Sequence, residues 1–183
     1  MRIISGTARG TKLYTLEGLE TRPTLDRVKE SLFNIINHLI PESVVLDLFA
    51  GSGAIGLEFT SRGAKSVYLC DASKDAVNII KKNIEKTHFE EKVRVINKDF
   101  KKTILDLKNE QIDIIYIDPP YKTDYAKVAI EKILECNCLK DDGLIIVETD
   151  DFNRVVNEIK NLNIKIIDQR KYGRANLIFI KKG

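Results

Sequence analysis

The chain is poor in the residues that would staple it or build a metal centre. It has three cysteines, Cys70, Cys136 and Cys138, and no C-x-x-C pair. An odd count with no secretion signal excludes a disulfide framework and points to reduced thiols in the cytoplasm, with no zinc and no other metal expected. No apolar run approaches membrane-spanning length. An apolar signal region is missing from residues 1–20, which Arg9, Lys12 and Glu17 interrupt. Repeats and low-complexity tracts are absent, and no composition shift marks an internal boundary. With 183 residues, the chain can bury a sizeable core as a single domain. Net charge is small, +3, but unevenly placed. Arg2, Arg9 and Lys12 make the first fourteen residues purely basic. A second excess lies in residues 165–183, and the middle is acidic. Basic ends around an acidic centre suggest a phosphate-backbone footprint beside an active site, which ordinary solvated surface would also produce.

The order of elements predicts an α/β domain. A short hairpin over about residues 2–5 and 11–16 precedes a helix from Thr24, its candidate cap, to about Leu39. Strands and helices then alternate from Val44 to the strand Leu144–Val147. A helix near 152–162 leads to two final strands, Ile164–Arg170 and Ala175–Lys181, joined by the turn Lys171-Tyr172-Gly173-Arg174. That pattern implies a seven-stranded, mostly parallel Rossmann-like sheet with an antiparallel last strand.

Asp118-Pro119-Pro120-Tyr121 carries the most information. It follows Ile112–Ile117, an apolar, β-branched run that reads as a buried parallel strand. Two prolines cannot continue a strand, because they lack N–H donors and fix φ. A rigid turn must therefore hold Asp118 and Tyr121 at the strand's carboxyl end, where open α/β sheets place their ligands. An acid, a stiff carbonyl and an aromatic ring suit the exocyclic amine of a flat base. Its lone pair is delocalised into the ring. If Asp118 and the Pro119 carbonyl each accept one N–H, the nitrogen can become tetrahedral and attack a methyl donor. Tyr121 can stack on the base. The bland alternative is a proline-stopped strand and a surface turn.

Upstream, Val44–Gly56 reads as strand, G-x-G-x-x-G and helix, with Gly51 and Gly53 allowing close approach to a ligand. Asp71, about 20 residues past the loop at the end of Ser66–Cys70, is placed for ribose hydroxyls. This much fits NAD and S-adenosylmethionine equally. Two residues favour the second. Asp47 can pair, directly or through water, with a methionine ammonium and would repel a pyrophosphate. Asp99, after Lys92–Ile96, can accept the adenine amine while Phe100 packs on the ring; alternatively Asp99 caps the next helix. Phe49 joins the expected cofactor residues. Arg22 and Thr24, at a helix start, are placed for the methionine carboxylate.

Leu46–Gly53 together with Asp118–Tyr121 resembles the class I amino-group methyltransferases. Arg2-Ile3-Ile4-Ser5-Gly6, Arg9-Gly10, Thr21–Asn34 and Lys171-Tyr172-Gly173 narrow the resemblance to the RsmD type, across nearly the whole chain. It implies methylation of N2 of a guanine in bacterial small-subunit (16S) ribosomal RNA, with S-adenosylmethionine as cofactor. RNA contacts are then expected at Arg2, Arg9, Lys12, Arg27, Lys171 and Arg174, and the protein is expected to be a monomer. There are two departures. Asp71 stands where a longer Glu is expected, and Arg174 where an acid is common. Other readings are an adenine-N6 methyltransferase, an NAD-dependent oxidoreductase and a non-catalytic RNA-binding factor. The first lacks a target-recognition domain. The second leaves Asp118–Tyr121 unexplained, and the third leaves Asp47, Asp118 and Tyr121 intact without a use.

Overall fold

The computed structural model describes residues 1–15 and 23–183. Helix α1 spans Pro23–Ile36 and passes into a 3-10 turn, Asn37–Leu39. Seven strands follow: β1 (Val44–Asp47), β2 (Ser66–Cys70), β3 (Val93–Ile96), β4 (Ile112–Ile117), β5 (Leu139–Thr149), β6 (Ile164–Tyr172) and β7 (Ala175–Lys182). Helices α2 (Ala54–Ser61), α3 (Lys74–Thr87), α4 (Phe100–Asp106), α5 (Tyr125–Cys136) and α6 (Phe152–Ile159) separate them as far as β6. The first helix begins with proline, whose missing N–H costs nothing in an opening turn. Thr24 therefore lies inside α1 rather than at its cap.

The sheet order is β3-β2-β1-β4-β5-β7-β6. The pairs from β3 to β5 are parallel, and β7 runs antiparallel to both β5 and β6. The strand order reverses direction between β1 and β4, which opens a crevice at their carboxyl ends. Both sheet faces are covered. Val45, Ile114, Tyr116, Leu144 and Ile146 pack with α1 and α2 on one side. Ile115, Ile117, Ile145 and Val147 pack with α4, α5 and α6 on the other. Double burial explains why β4 reads as a continuous apolar run rather than an alternating one.

The expected N-terminal hairpin is present in a short form. The Ile3 N–H donates to the Thr11 carbonyl at 3.0 Å, and a single antiparallel bridge joins Arg2 to Lys12. It is clamped to α2 by Glu58, which is fully buried. The Glu58 carboxylate accepts the N–H groups of Ile4 at 2.7 Å and Ser5 at 3.0 Å, and pairs with Lys29 at 3.1 Å and Arg62 at 2.8 Å. A buried carboxylate is tolerable only when satisfied in this way. All three cysteines are free and buried. Among the described residues, no helix is long and apolar enough to cross a membrane.

Candidate active site

A cavity of about 690 Å³ opens at the carboxyl ends of β1, β2 and β4. Asp71, Asp99 and Phe100 on the β2–β3 side, Phe49 and Tyr125, and Asp118–Tyr121 on the β4 side line it.

The glycine loop shapes the cavity from behind. Asp71 accepts the Gly51 N–H at 2.9 Å and the Ser73 N–H at 2.8 Å, so each carboxylate oxygen is anchored and keeps lone pairs for ligand hydroxyls. The three glycines have separate reasons. Gly51 has φ +56, and a Cβ there would point into open space. Gly53 has φ +79, and its Cβ would press on Leu69 at 3.2 Å and Ile80 at 3.3 Å. The expectation that Gly53 leaves approach space for a ligand is therefore corrected: it leaves space for the core beneath the loop. A Cβ on Gly56 would overlap Leu69 at 2.1 Å, so this glycine lets α2 lie against β2.

Asp47 also departs from expectation. It is 1 % exposed and lies under the loop rather than on the cavity wall, with its carboxylate accepting the Gly56 N–H at 3.1 Å. Direct pairing with a methionine ammonium is closed to this conformation; the water-mediated form of that expectation is not. Burial pushes its carboxyl up to about 7; the Gly56 hydrogen bond opposes that shift and the Asp71 charge adds to it.

The cap expected of Asp99 is present, and the residue stays open to the cavity. One oxygen caps α4 by accepting the Lys101 N–H at 2.9 Å. Phe100 sits in an aromatic group that sequence reading found only in part. Its ring centroid is 5.1 Å from Phe49 and 5.1 Å from Tyr125, and Phe49 stacks on Tyr125 at 6.3 Å. The Tyr125 position carried no motif and depends on where α5 begins.

After β4 the chain turns as the prolines require. Thr123 donates to the Pro120 carbonyl at 2.8 Å, and Arg154 of α6 donates to the Thr123 carbonyl at 2.7 Å. The turn is thereby braced, and the Pro119 carbonyl accepts nothing from the described residues. Tyr121 is 61 % exposed at the rim. Asp118 is partly buried; burial first, then the charges of Glu148 and Asp47, hold its carboxyl well above the usual carboxylate range. Glu148 near the end of β5 is buried and accepts the Tyr116 hydroxyl. No sequence motif pointed to either residue.

The expected RNA-binding cations are dispersed. Lys171 and Arg174 are exposed at the β6–β7 turn, and the Arg174 carbonyl is tied through Asn176 to β5 beside the site. Arg27 is exposed on α1, and Arg2 lies 3.8 Å from Asp26. Lys12 is exposed beside Arg2. Arg9 lies in a turn packed on Ser61, the last residue of α2, at the sheet edge opposite the cavity. Arg22 and the side chain of Thr24 lie outside the described residues.

Comparison with known proteins identifies the family. A family model described as conserved hypothetical protein 95 matches residues 1–181. Ribosomal RNA small subunit methyltransferase D of Haemophilus influenzae is 41% identical over 152 residues, 82% of this chain and 79% of that protein. The Escherichia coli protein of the same name is 35% identical over 150 residues, 82% of this chain and 75% of that one. The solved structure of Escherichia coli yhhF matches with a TM-score of 0.84 and 30% identity, covering 100% of this chain and 97% of that one. By sequence and fold together, the chain belongs to the ribosomal RNA small subunit methyltransferase D family.

Proposed function

We propose that this protein methylates the exocyclic N2 amine of a guanine in small-subunit ribosomal RNA. S-adenosylmethionine is the methyl donor. Residues 41–183 form the catalytic core and residues 1–40 an extension that completes it, in a protein that works as a monomer. The observation that carries the reading is the Asp118–Tyr121 turn. An acid, an unused Pro119 carbonyl and an exposed ring stand together across one cavity from Asp71 and Asp99.

The donor supplies an electrophilic methyl group on a cationic sulfur. The chain's residues supply position. Asp71 is held with lone pairs toward ribose hydroxyls, and Asp99 faces the cavity beside Phe100 for the adenine amine. Asp118 and the Pro119 carbonyl take the two N–H bonds of the target amine, which turns its lone pair toward the methyl group. The Asp118 charge also stabilises the positive charge growing on nitrogen. Tyr121 covers the base face, where stacking tolerates an extruded or unpaired base.

The test is nucleoside analysis of small-subunit RNA and of assembled subunit after incubation with the protein and S-adenosylmethionine. N2-methylguanosine is expected. N6-methyladenosine would transfer the enzyme to adenine, and no methylated base in either substrate would overturn the reading.

A further inference from the structure

Tyr116 lies in β4, and Asp118 directly follows the strand's last residue, Ile117, so the alternation of side chains carried one step on turns both to the same side. In parallel register Tyr116 is paired with Ile146 and Ile117 with Val147. Carrying that register one step past β4 brings Asp118 opposite Glu148 of β5, and the Glu148 charge acts directly on Asp118. Glu148 is 9 % exposed and held by the Tyr116 hydroxyl, and Tyr116 is itself 2 % exposed. Two carboxyl groups are thus set side by side at the buried edge of the site, one of them fixed by a phenol that has no other partner among the described residues.

We propose that Glu148, held by Tyr116, is a positioning residue for Asp118 that makes it the acceptor of the proton the amine must lose. This rests on the reading that Asp118 holds the target amine. In the step itself, the nitrogen lone pair forms the new N–C bond, and the S–C bond breaks with its electron pair left on sulfur. The methylated nitrogen then releases one proton. The N–H electron pair returns to nitrogen, and the proton passes to an Asp118 oxygen and from there to water in the cavity. An isolated surface carboxylate would orient the amine but hold that proton weakly. A partly buried carboxylate beside a second one holds it better, because two like charges in a dry site resist ionising together.

The electrostatic surroundings agree. Burial, then Glu148 and Asp47, raise Asp118, and both of those charges are anionic. Burial also raises Glu148, while the Tyr116 bond opposes this and favours its charged form. Burial and the nearby acids raise Tyr116 well above the ordinary phenol range, so it remains the donor. Among the described residues, the other groups near the pair are Tyr121, which feels Asp118, Glu148 and Asp150, and the uncharged Leu177 and Asn176 on β7. On the same sheet face α1 brings Lys29, committed to Glu58 at 3.1 Å, and Asp26, beside Arg2 at 3.8 Å.

The experiment is the pH dependence of single-turnover methylation in the whole protein, with S-adenosylmethionine saturating at every pH. In the wild type the rate falls as pH drops through the raised Asp118 ionisation. Glu148→Gln keeps the size of the side chain and an acceptor for Tyr116 but removes the charge. Its acid limb is expected at lower pH than in the wild type, with a plateau at least roughly tenfold lower. Tyr116→Phe should move the limb the same way by less, and Glu148→Asp should return it toward the wild-type position. If Glu148→Gln fails to fold, Tyr116→Phe decides. A limb that stays in place in the folded variants, with only the plateau lowered, would mean a purely structural role and would overturn the proposal. Product analysis separates the two ideas. Methyl on adenine N6 would sink the guanine assignment but leave this one standing, whereas an unmoved limb with N2-methylguanosine as product would do the reverse.

Discussion

Asn83, fully buried in α3, donates its amide to the Ser52 carbonyl of the glycine loop at 2.9 Å. The same side chain accepts the Tyr14 N–H at 2.7 Å and donates to the Tyr14 carbonyl at 3.0 Å. One buried amide therefore ties the N-terminal segment to the glycine loop. Asn83→Ala would strand three backbone groups, each costing about 1–3 kcal/mol if left dry. We expect S-adenosylmethionine affinity to fall roughly tenfold, the counterpart of about 1.4 kcal/mol. Calorimetry measures it, and faster amide exchange across residues 11–15 should accompany the loss.

The glycine loop gives a paired test. Gly51→Ala points its new methyl into open space, so the fold should persist with about 1–2 kcal/mol of backbone strain. Gly53→Val has both positive φ and the Leu69 and Ile80 side chains against it, and should lower thermal stability more than Gly51→Ala. Thermal melts rank the two. Equal melting temperatures would contradict the assignment of Gly53 to core packing.

Asp47 predicts a pH dependence of cofactor binding. Burial pushes its carboxyl up to about 7. Below that pH it is neutral and offers nothing to a cationic ligand; above it, the carboxylate attracts the sulfonium and ammonium. Affinity should therefore rise as pH increases through 7 and then level off. Asp47→Asn should flatten that rise. Calorimetric titrations from pH 6 to 8 test both, and a slope unchanged in Asp47→Asn would remove the residue from cofactor binding.

At the opposite wall, Asp118→Ala should lower single-turnover methylation by about a thousandfold or more, since orientation and charge stabilisation disappear together. Asp118→Asn should retain more, because its amide oxygen still accepts one N–H. Tyr121→Phe should be mild. Tyr121→Ala should be severe, with a stacking loss of about 1–3 kcal/mol. Cofactor affinity should stay near wild type in all four variants.

RNA binding is best probed by single substitutions. Removing residues 1–14 would take Ile3 and Leu13 out of the core and leave Glu58 without two of its donors, so that truncation tests folding instead. Lys171→Ala and Arg174→Ala, at the catalytic edge, should each reduce the salt dependence of RNA affinity by about one phosphate's worth. Arg9→Ala, at the far edge, should matter less. Filter-binding affinities across a salt series distinguish them, and a larger effect at Arg9 would place the RNA on the other side of the molecule.

What the sequence made legible was local. The strand at Ile112–Ile117, the proline stop behind it, the glycine loop and the acids after β2 and β3 are each written in a few consecutive residues. Chain-order alternation was enough to foresee a mostly parallel sheet. What stayed hidden depends on register and packing. Glu148 comes beside Asp118 only because β5 pairs with β4 in one particular alignment. Tyr125 joins Phe49 and Phe100 only once α5 is placed. Glu58 and Asn83 look like ordinary surface residues of amphipathic helices until the N-terminal segment folds over them. Asp47 was found by its position in the strand, but its depth beneath the loop comes from the docking of α2.

The clamp on the N-terminal hairpin also bears on synthesis. Ile4 finds its carboxylate partner 54 residues later and Tyr14 its amide partner 69 residues later. The hairpin thus cannot settle before both partners are made. It must wait, unpaired and carrying Ile3 and Leu13 in the open, until α2 and α3 have emerged. Contacts of such long range are slow to form, so the hairpin's apolar side chains stay unprotected until those two helices fold.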